Sequence, residues 1–181
     1  YYRGWFNTSL LGSIGAAAGV ATILELDETA TAAAISNAIS YCGGSRSILG
    51  TSFKPVMAGQ AAALGVECAS LAAAGLSAAP NALEHRFGLA ALTGAEPQDG
   101  SYEFNTLGNP WRLIEPGLAV KRYPVCSAAQ AVIEGVASLA KTNSINVDNL
   151  GSIDCFVPKL VAISLPYHTP ATAAEAQFSL P

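Results

Sequence analysis

Alanine decides most of what this chain can fold into. Of its 34 alanines, 23 fall before residue 100. A segment this rich in a small, strong helix former packs as helices. Single-methyl side chains let helix axes approach closely, so burial spreads around each helix instead of following one stripe. Near residue 95 the composition changes, and Pro, Trp, β-branched residues and short alternating stretches enter. That shift predicts a mixed unit after the helical one. The expected fold class is mainly α with an α+β part. An all-helical domain covers 1–95, and a linker plus the start of a smaller α+β domain covers 96–181. A length of 181 residues suits one domain or a little more.

Local signals place the elements. A first helix is expected from Ser9 to Leu24. A second follows an N-cap at Asp27, with Glu28 in the first turn where the helix dipole favours a carboxylate, and runs to Tyr41. Gly43-Gly44-Ser45 breaks the pattern, and Arg46 to Lys54 reads as a loop. Pro55 suits the first turn of a third helix, which runs to Ala74 with Gly75 as its stop. Pro80 to Leu92 holds a further short helix, and 94–110 reads as a linker. Trp111 to Ile114, Leu118 to Lys121 and 152–157 are strand candidates. Ser127 and Gln130 form a capping box, S-x-x-Q, ahead of an apolar helix that Asn143 ends. Gly12-Ser-Ile-Gly15 reads as close helix packing.

Charge and hydropathy exclude several classes. Charged residues make up 12%, hydrophobic residues 51%, and the net charge is -4. Disorder requires the opposite balance. No basic stripe is present to neutralise phosphates, so nucleic acid is not an expected partner. Ile14 to Leu24, read as the most apolar stretch, is too short to span a bilayer and runs into Glu25, Asp27 and Glu28, so no membrane partner is expected. The first residues lack the pattern of a signal peptide. No Met opens the chain, which suggests a fragment, a processed product or a subunit. Cys42, Cys68, Cys126 and Cys155 show no zinc-ligand spacing. They predict free thiols in a reducing, cytoplasmic compartment and no metal site.

Chemistry must then come from polar residues in apolar, Gly-bounded settings. Lys54 stands in Gly50-Thr-Ser-Phe-Lys-Pro-Val-Met-Ala-Gly59, just ahead of a helix. There its ammonium can meet a carboxylate beside backbone N–H groups that also favour anions. The alternative is a surface lysine in a loop. Lys121 stands in Val120-Lys-Arg-Tyr-Pro-Val-Cys126, between a strand candidate and a helix, with Tyr123 and Cys126 on the same turn. Its alternative is a solvated strand end. His85 reads as a solvated helix residue and His168 as a loop residue.

Taken together these segments resemble the MmgE/PrpD family. Gly4-Trp-Phe-Asn-Thr-Ser-Leu-Leu-Gly-Ser-Ile-Gly-Ala-Ala-Ala18 resembles its G-(W/F)-H-x-T-…-G-T-x-G-A-A-A stretch. Gly50 to Ala62 is similar to G-T-x-x-K-P-L-H-A-G-x-A-A, and Leu118 to Cys126 to K-x-Y-P-x-C. Phe178-Ser-Leu-Pro181 resembles a further F-S-L-P. The four occur in the family's order along nearly the whole chain.

The resemblance implies a two-domain, metal- and cofactor-independent enzyme for small di- and tricarboxylates. Its chemistry is proton removal next to a carboxylate-bearing carbon, then loss of water or CO2, or reprotonation. It implies a lyase of the 2-methylcitrate dehydratase type, with an epimerase or a non-catalytic truncated subunit as alternatives. Lys54, Lys121 and Tyr123 become the expected catalytic residues. Lys54 and Lys121, supplied by different domains, orient the polyanion across a cleft, and either ammonium is a potential general base if desolvated. Phe6, Met57, Cys126 and Gln130 are the expected substrate-binding positions. Phe6, Met57 and Gln130 stand where the family often has His, so proton transfer there is altered. Family members are more than twice as long. The chain is therefore expected to be truncated at both ends relative to them, and to form a homodimer or pair with a complementing chain.

Overall fold

The computed structural model describes residues 3–95 and 107–180. Two compact units share the chain. One comprises Tyr1–Ile48 and Ser52–Glu103, the other Leu49–Thr51 and Phe104–Pro181.

The first unit is helical. Helix α1 spans Asn7–Ile23, α2 Glu28–Tyr41, α3 Phe53–Ala73 and α4 Leu89–Thr93, with a 3-10 turn at Arg46–Ile48. Its centre is the alanine seam expected from composition. Ala17 and Ala21 of α1, Ala34 and Ala38 of α2, and Cys68, Ala69 and Ala72 of α3 form one buried cluster. Each alanine removes only one methyl from water, on the order of 0.8 kcal/mol. The seam therefore depends on how closely the helices approach. Gly65 shows how close that is: a Cβ there would lie 2.6 Å from the Ser13 carbonyl oxygen and 2.7 Å from the Ala17 nitrogen. Gly12 likewise faces the Ala61 methyl, but Gly15 faces open space, so only one of the two glycines expected at a helix contact makes one. A second cluster joins Leu10, Ile39, Ala82 and Leu89.

The helix ends follow from capping. The Asp27 carboxylate accepts from the Ala30 N–H at 2.8 Å, as expected. Pro55 lies in the first turn of α3, and Gly75 takes φ +88 just past its end. There the Leu76 N–H reaches back to the Leu71 carbonyl at 3.0 Å, the hydrogen bond of a Schellman turn. The expected loop over 46–54 instead holds the 3-10 turn and the start of α3. The expected helix over 80–92 is largely turns, and only Leu89–Thr93 is helical. His85 accordingly lies in a turn, where its Nδ1 accepts from the Phe87 N–H. Helix α3, at 21 residues, is also long and apolar enough to cross a membrane, a property the sequence reading attached to no segment. It packs against α1 and α2.

The second unit holds α5 (Ser127–Thr142), α6 (Lys159–Ser164) and α7 (Ala173–Ala176). None of the three strand candidates is a strand. Residues 112–116 are turns, and 117–121 and 152–157 are not in regular structure. The alternation is real but unpaired. Val120 is 91% exposed and Phe156 98%, and an extended segment becomes a strand only when a neighbour takes up its N–H and C=O groups. Among the described residues the bridges outside named strands are Trp5 with Ser45 and Tyr167 with Ser179. The chain is thus helix-rich, and the β half of the expected α+β part has no counterpart in the described residues. Most of the expected linker, 96–106, lies outside them.

Candidate functional site

In the first unit three expected site residues come together at the start of α1 and α3. The Phe6 N–H donates to the Gly44 carbonyl at 3.0 Å, and the Arg46 N–H donates to the Gly4 carbonyl at 2.7 Å, so the Gly-Gly-Ser break is laid against the entry to α1. The Ser9 hydroxyl donates to the Gly43 carbonyl. Gly44, at φ +121, adopts a conformation that side chains avoid, and a Cβ there would run into Met57 and Ser9. Across this platform the Lys54 ammonium sits 5.7 Å from the centroid of the buried Phe6 ring. Lys54 is the second residue of α3. A cation there opposes the helix dipole, and the ring face offsets part of that cost.

In the second unit another set converges on the start of α5. Gln130 was expected to cap the helix with Ser127, but the cap residue is Cys126 and no side chain caps the first turn. Gln130 instead reads the backbone of Tyr123. Its Oε1 accepts from the Tyr123 N–H at 3.1 Å, and its Nε2 donates to the Tyr123 carbonyl at 2.9 Å. A side-chain amide has one acceptor and one donor side, so it can pair with both polar groups of one residue as a neighbouring strand would. The Cys126 N–H donates to the Gln177 carbonyl at 2.8 Å. The Tyr123 hydroxyl donates to Glu134 Oε2 at 2.9 Å, and Arg122 Nη1 meets Glu134 Oε1 at 2.6 Å. The Tyr123 phenol is held above its ordinary pKa by the hydrogen bond to Glu134 first, then by desolvation and the Glu134 charge, with Arg122 acting in the opposite direction. Lys121 is exposed at the edge of this set.

The seven expected site residues thus fall into two groups, one in each unit: Phe6, Lys54 and Met57, and Lys121, Tyr123, Cys126 and Gln130. Glu134 was not singled out from sequence. The signal that could have found it is its spacing of four from Gln130, which puts both on one helix face.

Gly50, the first residue of the Lys54 motif, has a different task. It takes φ +79, and the Tyr167 ring occupies the space a Cβ would need. The Tyr167 hydroxyl donates to the Leu49 carbonyl at 2.6 Å, and its N–H donates to the Phe178 carbonyl. The second and last of the four motifs are therefore joined through one tyrosine. The second unit also contains an apolar cavity of about 700 Å³ between the Val132, Ile133 and Val136 face of α5 and the Ile153 and Val157 segment, with His168 at its wall. None of the expected site residues lines it. All four cysteines are free thiols. Burial pushes the Cys42 and Cys68 thiols up, with the Glu67 charge adding to Cys68. Among the described residues no three of His, Cys, Asp and Glu gather to hold a metal ion.

Comparison with known proteins agrees with the motif reading. The MmgE/PrpD N-terminal domain matches residues 1–100. Cis-aconitate decarboxylase of Homo sapiens is 27% identical across 94% of this chain, an alignment that takes in 36% of the human protein. The chain thus spans about a third of that relative's length. With over half of its residues inside the domain match and the four motifs in order, the chain belongs to the MmgE/PrpD family.

Proposed function

We propose that this chain is part of a lyase acting on small di- or tricarboxylates by removing a proton next to a carboxylate-bearing carbon. The observation that carries the reading is the setting of Lys54. Lys54, a half-buried residue in the first turn of α3, holds its ammonium over the Phe6 ring, where the helix dipole disfavours a cation. A substrate carboxylate is an anion that this ammonium and the backbone N–H groups at the helix start can bind together. Lys121 of the second unit is proposed as a further carboxylate-binding ammonium, and a fixed cation of this kind stabilises charge that develops on a carboxylate as the proton leaves. Neither Phe6 nor Met57 can take up a proton, so another group of the enzyme is the base. Dehydration and epimerisation share this first step and differ in whether hydroxide leaves or a proton returns, whereas decarboxylation reaches its carbanion by loss of CO2 and ends by taking up a proton. The human relative is named a decarboxylase, which favours a lyase over an epimerase.

The architecture proposed with it is an all-helical domain followed by the start of an α+β domain. Its strands are completed by chain beyond these residues or by a complementing chain, in a cytoplasmic homodimer. In an active enzyme carrying this chain, Lys54→Ala is expected to lower kcat/KM on cis-aconitate or 2-methylcitrate by roughly a hundredfold, the scale of losing one charge-stabilising group. A loss under about threefold overturns the role of Lys54. Phe6 and Met57 specifically favour a second reading, a non-catalytic subunit. It predicts that citrate-like acids raise the melting temperature, as any ligand of the folded state does, while turnover is absent.

A further inference from the structure

We infer that Glu134 is a positioning residue that decides which cation of the Lys121-Arg122 pair is offered to an anion. This rests on the role proposed above for Lys121 and deepens it. Two adjacent cations would ordinarily compete for one carboxylate. Here the two oxygens of a single carboxylate are divided between consecutive residues. Oε1 accepts from Arg122 at 2.6 Å, and Oε2 accepts from the Tyr123 hydroxyl at 2.9 Å. One helical turn earlier, Gln130 fixes the backbone of the same Tyr123 through its N–H and carbonyl. The Arg122 guanidinium also lies 5.9 Å from the Tyr123 ring centroid.

Two consequences follow. The Glu134 charge cancels that of Arg122, so the segment presents one net positive charge, and Lys121 is the residue that carries it. The Tyr123 proton is directed at Glu134, so toward a ligand the phenol oxygen acts as an acceptor. The Arg122–Glu134 pair is open to solvent, at 72% and 50% side-chain exposure. Alone it would contribute little. Its ordering comes from the network, in which phenol, guanidinium and side-chain amide act on two consecutive residues.

The test has two arms. The first titrates phenolate absorbance in the full chain. One tyrosine ionises above the ordinary value near 10, Tyr123→Phe deletes that late component, and Glu134→Gln returns it to the main wave. A late component unchanged by Glu134→Gln overturns the inference. The second arm measures turnover in the active enzyme. Glu134→Gln lowers kcat by about tenfold, the scale of one misplaced polar contact, and lowers KM for the tricarboxylate because Arg122 is released to bind it. Adding Arg122→Gln returns KM to its starting value. A merely structural role lowers kcat in both variants and moves KM in neither. If Lys121→Ala is damaging and Glu134→Gln is silent, the positioning role falls. If Lys121→Ala is itself silent, the functional reading of Lys121 falls and takes this role with it, even though the phenol titration still behaves as stated.

Discussion

At the scale of single residues, the contact between α1 and α3 sets opposing effects against each other. Gly65→Ala gains about 1 kcal/mol of helix propensity. It also drives a methyl into the Ser13 carbonyl and the Ala17 nitrogen, main-chain atoms that cannot rotate away, and such overpacking costs about 1–3 kcal/mol. The clash wins, so Gly65→Ala is expected to lower Tm. Ser13 lies on the α1 side of the same contact. It is 1% exposed, and its hydroxyl has no hydrogen-bond partner. An orphaned buried hydroxyl costs roughly 1–3 kcal/mol, so Ser13→Ala is expected to raise Tm. Thermal melts of the two variants beside the parent chain check both signs, and a Gly65→Ala chain as stable as its parent would show that the helices stand further apart. Gly65 was legible as a helix residue, but its need to be glycine was not, because that need is set by backbone forty-eight or more positions earlier in the chain.

At the scale of elements, legibility depended on whether the stabilising partner lies within a few residues. Helix α2 starts where Asp27 said it would, because the cap closes on an N–H three residues away. Asp27→Ala is expected to cost about 1 kcal/mol, read as a lowered denaturation midpoint with an unchanged slope. Asp27→Asn should keep most of the stability, since its side chain also caps. Helix α1 ends with Glu25 in a left-handed conformation at φ +52, a stop that no glycine announces. Strands failed for the converse reason. The residues at 118–121 and 152–157 have the right alternation, but a strand is a property of two segments, and no second segment pairs with them among the described residues. Gln130 shows the same limit on a smaller scale. S-x-x-Q is a capping pattern in isolation, yet the amide goes to Tyr123, seven residues back, where two hydrogen bonds outweigh one.

At the scale of the whole molecule, the second unit leaves large apolar side chains in water. Trp111, Ile114, Leu118, Val120 and Phe156 are each more than two-thirds exposed. Surfaces of this kind mark association, and the chain matches only 36% of its human relative. The isolated 18.4 kDa chain is therefore expected to elute from a sizing column above its monomer mass and to bind a hydrophobic dye. A monodisperse monomer that melts in one cooperative step would contradict this.

The amino-acid order by itself determined the helical unit, its caps and stops, and the four motifs that place the chain in its family. These depend on composition and on partners close in sequence, which a linear reading can see. Tertiary structure alone decided that Phe6, Lys54 and Met57 meet around Gly44, that Tyr167 locks over Gly50, and that Glu134 divides its oxygens between Arg122 and Tyr123. Each of these is a contact between residues brought together by folding, and its energy belongs to the pair, so neither residue announces it alone.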